Sequence, residues 1–259
     1  MYQPKSNAVW FNLPGVVAAY QPIAAPDPFA ARQNVAHEMR LIGRYTAMPG
    51  VLPTWSAAAG LSFNGTTQYL TTGIVPTSQA QTYLLRVSDV VSGNVGACGV
   101  IGDLSNSISI RPYPGGTLVV YNGAGFEFFG SGVASGVIAL VGSAVFYNGV
   151  NRVGSLHGGC PNWAGESLGR PVFLGATNNN GTLASYWSGK IFAFAIASRT
   201  LTPAEVWLAS RQMAYCEQNQ DWNAWGRRRY YVPAAAGGYV GIYSKHGIVK
   251  LPDSAVQLS

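Results

Sequence analysis

Charge is what this 259-residue chain has least of: 10% of its residues are Asp, Glu, Lys or Arg, against roughly a quarter in ordinary soluble domains. Cysteine is nearly as scarce. Cys98, Cys160 and Cys216 form an odd, widely spaced set, which argues against a disulfide-stapled scaffold and fits free thiols in a reducing compartment. The longest apolar stretch, near Val137–Tyr147, is interrupted by Gly142 and is too short to cross a bilayer. The first residues offer one Lys and then Pro14 inside the only early apolar run, which does not make a secretory signal. The expectation is a chain made in a cytoplasm, without membrane insertion. Catalytic signatures are missing too. No Ser-His-Asp arrangement can be assembled from spacing, and no phosphate-cradling glycine loop precedes a helix. His157-Gly-Gly-Cys160 resembles half a zinc site with no second pair to complete it, so a loop His and a buried thiol are the simpler reading.

Glycine (32 residues), proline (15) and aromatics (12%) fill the space that charge leaves. That mixture suits short strands joined by tight turns and disfavours helical bundles. Strands are expected at Val16–Tyr20, Gln81–Ser88, Ser107–Pro112, Thr117–Asn122, Val137–Val141, Ala144–Tyr147, Val172–Ala176 and Lys190–Ala197. Gly142-Ser143 suits a type II′ turn and Asn148-Gly149 a type I′ turn, which makes Val137–Ser155 a meander. Asn-Gly recurs at Asn64-Gly65, Asn122-Gly123 and Asn180-Gly181. In Ile191–Ala197, Ile191, Ala193, Ala195 and Ala197 alternate with Phe192, Phe194 and Ile196. With apolar residues on both sides, that strand should be central and covered on both faces.

One helix stands out. Thr202 and Glu205 have capping-box spacing, Pro203 suits the first helical position, and Val206, Ala209 and Met213 follow at helical spacing to about Cys216–Gln218. A weaker helical pattern covers Pro28–Leu41. The net charge of +6 is unevenly spread: Val51–Trp225 is neutral, with seven basic and seven acidic residues, while residues 1–50 carry +2 and 226–259 carry +4. Arms at 1–15 and 217–259 therefore flank a neutral body at 16–216. Trp10 and Phe11 in the first arm, and Arg227, Arg228, Arg229, Tyr230 and Tyr231 in the second, are candidates for docking onto a protein partner. A merely solvated charge run is the competing reading of the arginines. A nucleic-acid reader would need a broader basic face or a known motif, and neither is present.

Three stretches carry a family resemblance. Leu61-Ser-Phe-Asn-Gly-Thr-Thr-Gln-Tyr-Leu70 resembles the strand pair near the start of laminin G-like domains, and Ala144-Val-Phe-Tyr-Asn-Gly-Val150 resembles their Y-x-N-G hairpin. Gly189–Glu205 resembles their closing strand and short L-T-x-x-E helix. Order and spacing are similar to the concanavalin A-like lectin/glucanase jelly roll over residues 16–216. The resemblance implies an all-β fold, an antiparallel two-sheet β-sandwich with a short C-terminal helix and extended terminal arms. The phrase from Trp55 to Leu70 most resembles versions in tailed-phage structural proteins. That implies a virion component (capsid decoration, head fibre, collar or tail) that contacts other virion proteins and forms a symmetric homo-oligomer.

The same resemblance frames the candidate sites. Glucanases of this fold set paired carboxylates on one strand, whereas the ten acids here are scattered, so no catalytic residue is assigned. Relatives often bind Ca²⁺ through clustered oxygens; Asp89, Asp103 and Asn178–Asn180 are the available donors, with no second acid nearby, and no metal site is assigned. Carbohydrate binding, the alternative function, would use Trp163, Asn178, Asn179, Asn180, Tyr186 and Trp187 on one rim, with cell-surface glycans as partners. Packing of those tryptophans in the sandwich or a subunit interface is the favoured competing reading.

Overall fold

β-branched and aromatic runs punctuated by Gly and Asn fold as strands in the computed structural model, which describes residues 10–36 (except 24 and 26), 45–91, 95–102, 107–114, 118–122, 126–129, 133–152, 168–219, 239–244 and 247–252. A 3₁₀ turn at Trp10–Asn12 leads into β1 (Val16–Tyr20). A second 3₁₀ turn, Ala30–Arg32, is the only helical piece within Pro28–Val35, where a longer helix was expected. Then come β2 (Met48–Val51), β3 (Thr54–Ser56), β4 (Gly60–Asn64), β5 (Tyr69–Thr71) and β6 (Thr82–Ser88). The middle of the chain supplies β7 (Cys98–Ile101), β8 (Ser107–Arg111), β9 (Leu118–Asn122), β10 (Phe126–Phe129), β11 (Gly136–Val141), β12 (Ala144–Tyr147) and β13 (Val150–Asn151). β14 (Phe173–Leu174), β15 (Thr177–Asn179), β16 (Thr182–Ala184), β17 (Ser188–Ala197) and the helix α1 (Pro203–Asn219) complete the body.

Two sheets result. The eight-stranded sheet runs β13-β12-β11-β6-β17-β4-β3, with β1 also on β17. The nine-stranded sheet runs β10-β9-β8-β7-β14-β5-β2, with β15 on β7 and β16 on β15. The β-sandwich expectation holds. Pairing is antiparallel except where β15 joins β7 in parallel, Asn178 opposite Val100 and Asn179 opposite Ile101. Alternate residues of each sheet meet in the main core: Tyr83, Leu85, Val87, Ile138, Leu140, Phe194 and Ile196 from one, and Leu70, Cys98, Val100, Ile108, Ile110 and Val120 from the other. Both faces of β17 are covered, as its composition implied. Its alternation is interrupted, however, by a register shift between Ile191 and Ala193. Ile191 therefore joins Phe194 and Ile196 in the core cluster, because an extra residue in one strand reverses the facing of what precedes it.

Turns form at Asn64-Gly65, Gly142-Ser143, Asn148-Gly149 and Asn180-Gly181, while Gly123 of the Asn122-Gly123 pair lies outside the described residues. Val141 pairs with Ala144 across Gly142 at φ 54°, and Tyr147 pairs with Val150 across Asn148 and Gly149 at φ 52° and 80°. Two positive φ values in succession identify the type I′ geometry that Gly tolerates without a Cβ clash. The helix begins with the reciprocal cap: Glu205 N donates to Thr202 Oγ1 at 3.3 Å, and Thr202 N donates to Glu205 Oε2 at 2.8 Å. Val206, Ala209 and Met213 are buried on the helix face turned to the body.

Trp10 and Phe11 belong to this body and not to a docking arm. They are 0% and 2% exposed, and their rings meet edge to face at 5.6 Å between centroids. Their 3₁₀ turn packs on α1 and β1. Arg199 fixes the following residues, Nε donating to Pro14 O at 2.8 Å while Nη1 and Nη2 grip the Glu205 carboxylate at 3.0 and 2.5 Å. The sequence offered these two aromatics as docking residues for a protein partner; instead their turn packs on α1, some two hundred residues later in the same chain. A second compact unit spans Gln220–Ser259. It contains an antiparallel hairpin of β18 (Tyr239–Ser244) and β19 (Gly247–Pro252), with Tyr239 opposite Pro252 and Ser244 opposite Gly247. Arg227–Tyr231 lie outside the described residues.

Candidate functional site

The outward face of the nine-stranded sheet is where sequence candidates and open chemistry coincide. On β8, Ile108 and Ile110 point into the core, which leaves Ser109 and Arg111 on the other face. Register carries that face across the sheet: Ser109 is opposite Gly99, Gly99 opposite Phe173, and Phe173 opposite Thr71. At its centre Ser109 and Thr177 are both 0% exposed. A Cβ on Gly96 would lie 2.2 Å from Thr177 Oγ1, and one on Gly99 would lie 2.8 Å from Ser109 Oγ. Glycine at position 96 leaves room for the Thr177 hydroxyl, and glycine at position 99 leaves room for the Ser109 side chain of the neighbouring strand.

The open part lies to the β14–β15 side. Tyr69 and Phe173, both half-buried, pack with centroids 5.1 Å apart and planes inclined by 38°. Tyr69 extends over the edge strand, where a Cβ on Gly50 would fall within 1.8 Å of its ring. Phe173 is opposite Gly99 and Asn179 opposite Ile101, on the same strand and two residues apart. At the ordinary strand rise they sit roughly 7 Å from each other along the edge of β7.

Asn179 opens the β15–β16 turn, in which Asn180 and Gly181 take φ 48° and 89°. The turn is held from behind. Asn180 N donates to Ile101 O at 2.7 Å, Asn178 Nδ2 donates to Pro171 O at 3.0 Å, and Gly181 N donates to Asn178 Oδ1 at 2.9 Å. Asn179, Asn180 and Thr182 are exposed at its tip. Arg170 is exposed alongside, its guanidinium carbon 3.4 Å from where a Cβ on Gly181 would stand. Thus two amides and a hydroxyl project from a hydrogen-bonded turn with a planar cation beside it, and the first of the amides stands roughly 7 Å along the strand edge from Phe173. Among the described residues of this rim the only formal charge is Arg170.

The structure leaves Asn179 and Asn180 exposed at the turn and buries two of the other candidates. Asn178 is 2% exposed, and its amide is committed at both ends, Oδ1 to Gly181 N in the turn and Nδ2 to Pro171 O ahead of β14. Trp187 is 0% exposed, tilted against Phe63 at 6.1 Å, with Gly189 against its indole. It packs the core and presents no platform to solvent. Tyr186 is half-buried beside it in sequence, and Trp163 lies outside the described residues. The sequence reading missed Arg170 and the Tyr69–Phe173 pair. Their only early signal was the Asn180-Gly181 turn, which fixes what can stand beside it.

No group of three or more His, Cys, Asp or Glu side chains that could hold a metal occurs among the described residues. Of the Ca²⁺ donors considered, Asp89 is ion-paired with Lys190, whose hydrogen bond holds its carboxyl below the usual range. Asp103 lies outside the described residues. No helix among the described residues is long and apolar enough to cross a membrane.

Neither a family model nor a curated protein matches the chain. Solved structures do. A mutant of Trypanosoma rangeli sialidase displaying trans-sialidase activity aligns over 77% of this chain and 33% of its own, with 14% identity and a TM-score of 0.52. The likeness is one of fold. Domain 4 of the Geobacillus stearothermophilus arabinanase AbnA, in complex with arabinotriose, aligns over 75% of this chain and 98% of its own at 14% identity and a TM-score of 0.46. The CBM40 of Ruminococcus gnavus IT-sialidase, bound to α2,3-sialyllactose, aligns over 52% and 84% at 14% identity and a TM-score of 0.40. The chain spans 28% of the Streptococcus pneumoniae NanB sialidase, another structure it matches.

Proposed function

We propose that this chain is a non-catalytic carbohydrate-binding module that takes an oligosaccharide on the β14–β15 side of the nine-stranded sheet. The observation that carries the reading is the placement of the Tyr69–Phe173 pair roughly 7 Å along one strand edge from Asn179. Sugars present apolar C–H faces and rings of hydroxyls at once. A site for them needs an aromatic surface beside amide donors and acceptors that the protein itself leaves uncommitted. Arg170 adds a cation, so neutral or anionic sugars fit this rim better than amino sugars carrying positive charge. The laminin G-like motifs at Leu61–Leu70 and Ala144–Val150 agree with a lectin-type sandwich.

The absence of hydrolysis is part of the proposal. The carboxylates with described side-chain contacts all serve structure. Asp27 accepts from Phe29 N and Ala30 N, Asp89 pairs with Lys190, and Glu205 pairs with Arg199. None stands opposite another across a cleft, as a glycosidase pair must. The test is a screen of neutral and acidic oligosaccharides with the full chain, followed by calorimetric titration of Phe173→Ala and Asn179→Ala. Each substitution should weaken binding by roughly tenfold, about 1.4 kcal/mol. Saturable binding that survives both substitutions would sink the assignment.

A second reading, of a virion component attached to other virion proteins, is favoured by the Trp55–Leu70 phrase and by the separate unit at Gln220–Ser259. It is compatible with the first, since a particle protein can also hold glycans. Removal of residues 220–259 should then abolish incorporation into particles while the sandwich keeps its melting temperature. Incorporation that persists without them would count against this reading.

A further inference from the structure

The distances around Arg170 define how its guanidinium lies beside the β15–β16 turn. A Cβ on Gly181 would stand 3.4 Å from the guanidinium carbon and 3.6 Å from both Nη1 and Nη2. Any point in the guanidinium plane at that range would be nearer to a nitrogen than to the carbon. The point therefore lies above the carbon, on the normal to the plane, and the group rests with one face flat against Gly181. Its N–H donors spread edgewise from that contact, as a planar fork does. Among the described residues the other arginines are engaged. Arg32, Arg86, Arg111 and Arg199 donate to oxygens of this chain, while Arg152 and Arg211 lie over Tyr147 and Trp207. Arg170 is exposed, and no oxygen of the described residues accepts from its fork.

We propose that this fork selects an acidic sugar, whose carboxylate accepts two parallel N–H···O bonds from Arg170. The inference rests on the carbohydrate reading above and narrows it to one chemical class of ligand. A planar guanidinium held by one face offers its edge, and a carboxylate presents two oxygens in a matching plane. A lone hydroxyl meets that fork at one point and brings no charge. The turn also sets the direction of the ligand. Arg170 stands at Gly181, and Asn179 is roughly 7 Å along the strand edge from Phe173. The carboxylate therefore lies at the turn, and an apolar C–H face of the sugar lies toward Phe173.

The test is calorimetric titration of the full chain with a panel of carboxylated oligosaccharides, each beside its carboxyl-reduced neutral counterpart and a sulfated one. Wild type is expected to bind the carboxylated member roughly tenfold more tightly than the neutral one. Added salt should narrow that advantage, because the pair is exposed. Arg170→Gln should make the two members bind alike, and Arg170→Lys, a point charge without the fork, should restore only part of the preference. Arg211→Gln removes the same charge from α1 and should leave the preference intact. Both arginines are exposed, so melting temperatures should stay close to wild type. Equal binding of carboxylated and neutral members by wild type overturns this inference and leaves the carbohydrate reading standing, whereas binding of no oligosaccharide overturns both. A preference that survives Arg170→Gln, or one that favours the sulfated member over the carboxylated, also overturns it.

Discussion

Truncation of Trp10 to alanine separates a body that begins near residue 10 from one that begins at 16. Trp10 is 0% exposed and Phe11 2%. The pair fills the space between β1 and α1, so truncation removes buried aromatic surface and leaves a cavity that helix and strand cannot both collapse into. Buried Trp→Ala and Phe→Ala changes cost about 3–5 kcal/mol. At roughly 2–4 °C per kcal/mol for a domain of this size, Trp10→Ala should lower the melting temperature by roughly 6–20 °C, and Phe11→Ala by a similar amount. Urea unfolding followed by far-ultraviolet circular dichroism avoids the loss of a tryptophan signal and gives the free energy directly. Phe29→Ala provides the contrast, because Phe29 is 63% exposed and should change stability by no more than about 0.5 kcal/mol. If Trp10→Ala also fell within that margin, the first turn would be a loose arm and the packing described here would be wrong.

Glu205→Ala removes the carboxylate half of the capping box and the Arg199 fork, and leaves the Thr202 hydroxyl on the Glu205 backbone N–H. Because the pair is partly solvent-screened, the loss at neutral pH should be about 1–2 kcal/mol. The hydrogen bond from Arg199 holds the Glu205 carboxyl down to about 2 from an ordinary 4.5; this stabilisation is complete above 4.5 and lost as pH falls through about 2, so wild-type and variant denaturation curves should converge there. Gly149→Ala puts a side chain on a residue at φ 80° and within 3.0 Å of Trp207 Cα, which should cost about 1–3 kcal/mol by thermal unfolding. Burial pushes the Cys98 thiol up to about 12. In a Cys160→Ala/Cys216→Ala background it should resist aromatic disulfide reagents at pH 8 until the chain unfolds, and rapid labelling of the native protein would contradict that burial.

What could be read from sequence was local. Asn148-Gly149 and Asn180-Gly181 specify their own turns because few residues other than Asn and Gly accept positive φ. Thr202, Pro203 and Glu205 likewise specify where α1 begins. The sandwich followed from strand rhythm and the three laminin G-like stretches. What escaped depended on contacts distant in sequence. Trp10 resembles an arm residue until α1 covers it, and Trp187 resembles a sugar platform until Phe63 is beside it. The bulge at Ile191–Ala193 leaves no trace in an apolar alternation that reads well on either face. The rim was half legible: Asn179 and Asn180 announced themselves through the turn. Arg170 and Phe173 joined them because β14 and β15 attach one after the other to the same edge of β7.

The central claim is that sugar binds beside the β14–β15 edge, and the most direct measurement is amide chemical-shift mapping of the isotope-labelled full chain titrated with the best oligosaccharide from the screen. The account predicts perturbations centred on Phe173, Asn179, Asn180 and Arg170, reaching Tyr69 and Ile101 and leaving the α1 side of the sandwich unchanged. Saturating shifts centred on another surface, or no shifts with any oligosaccharide, would contradict it.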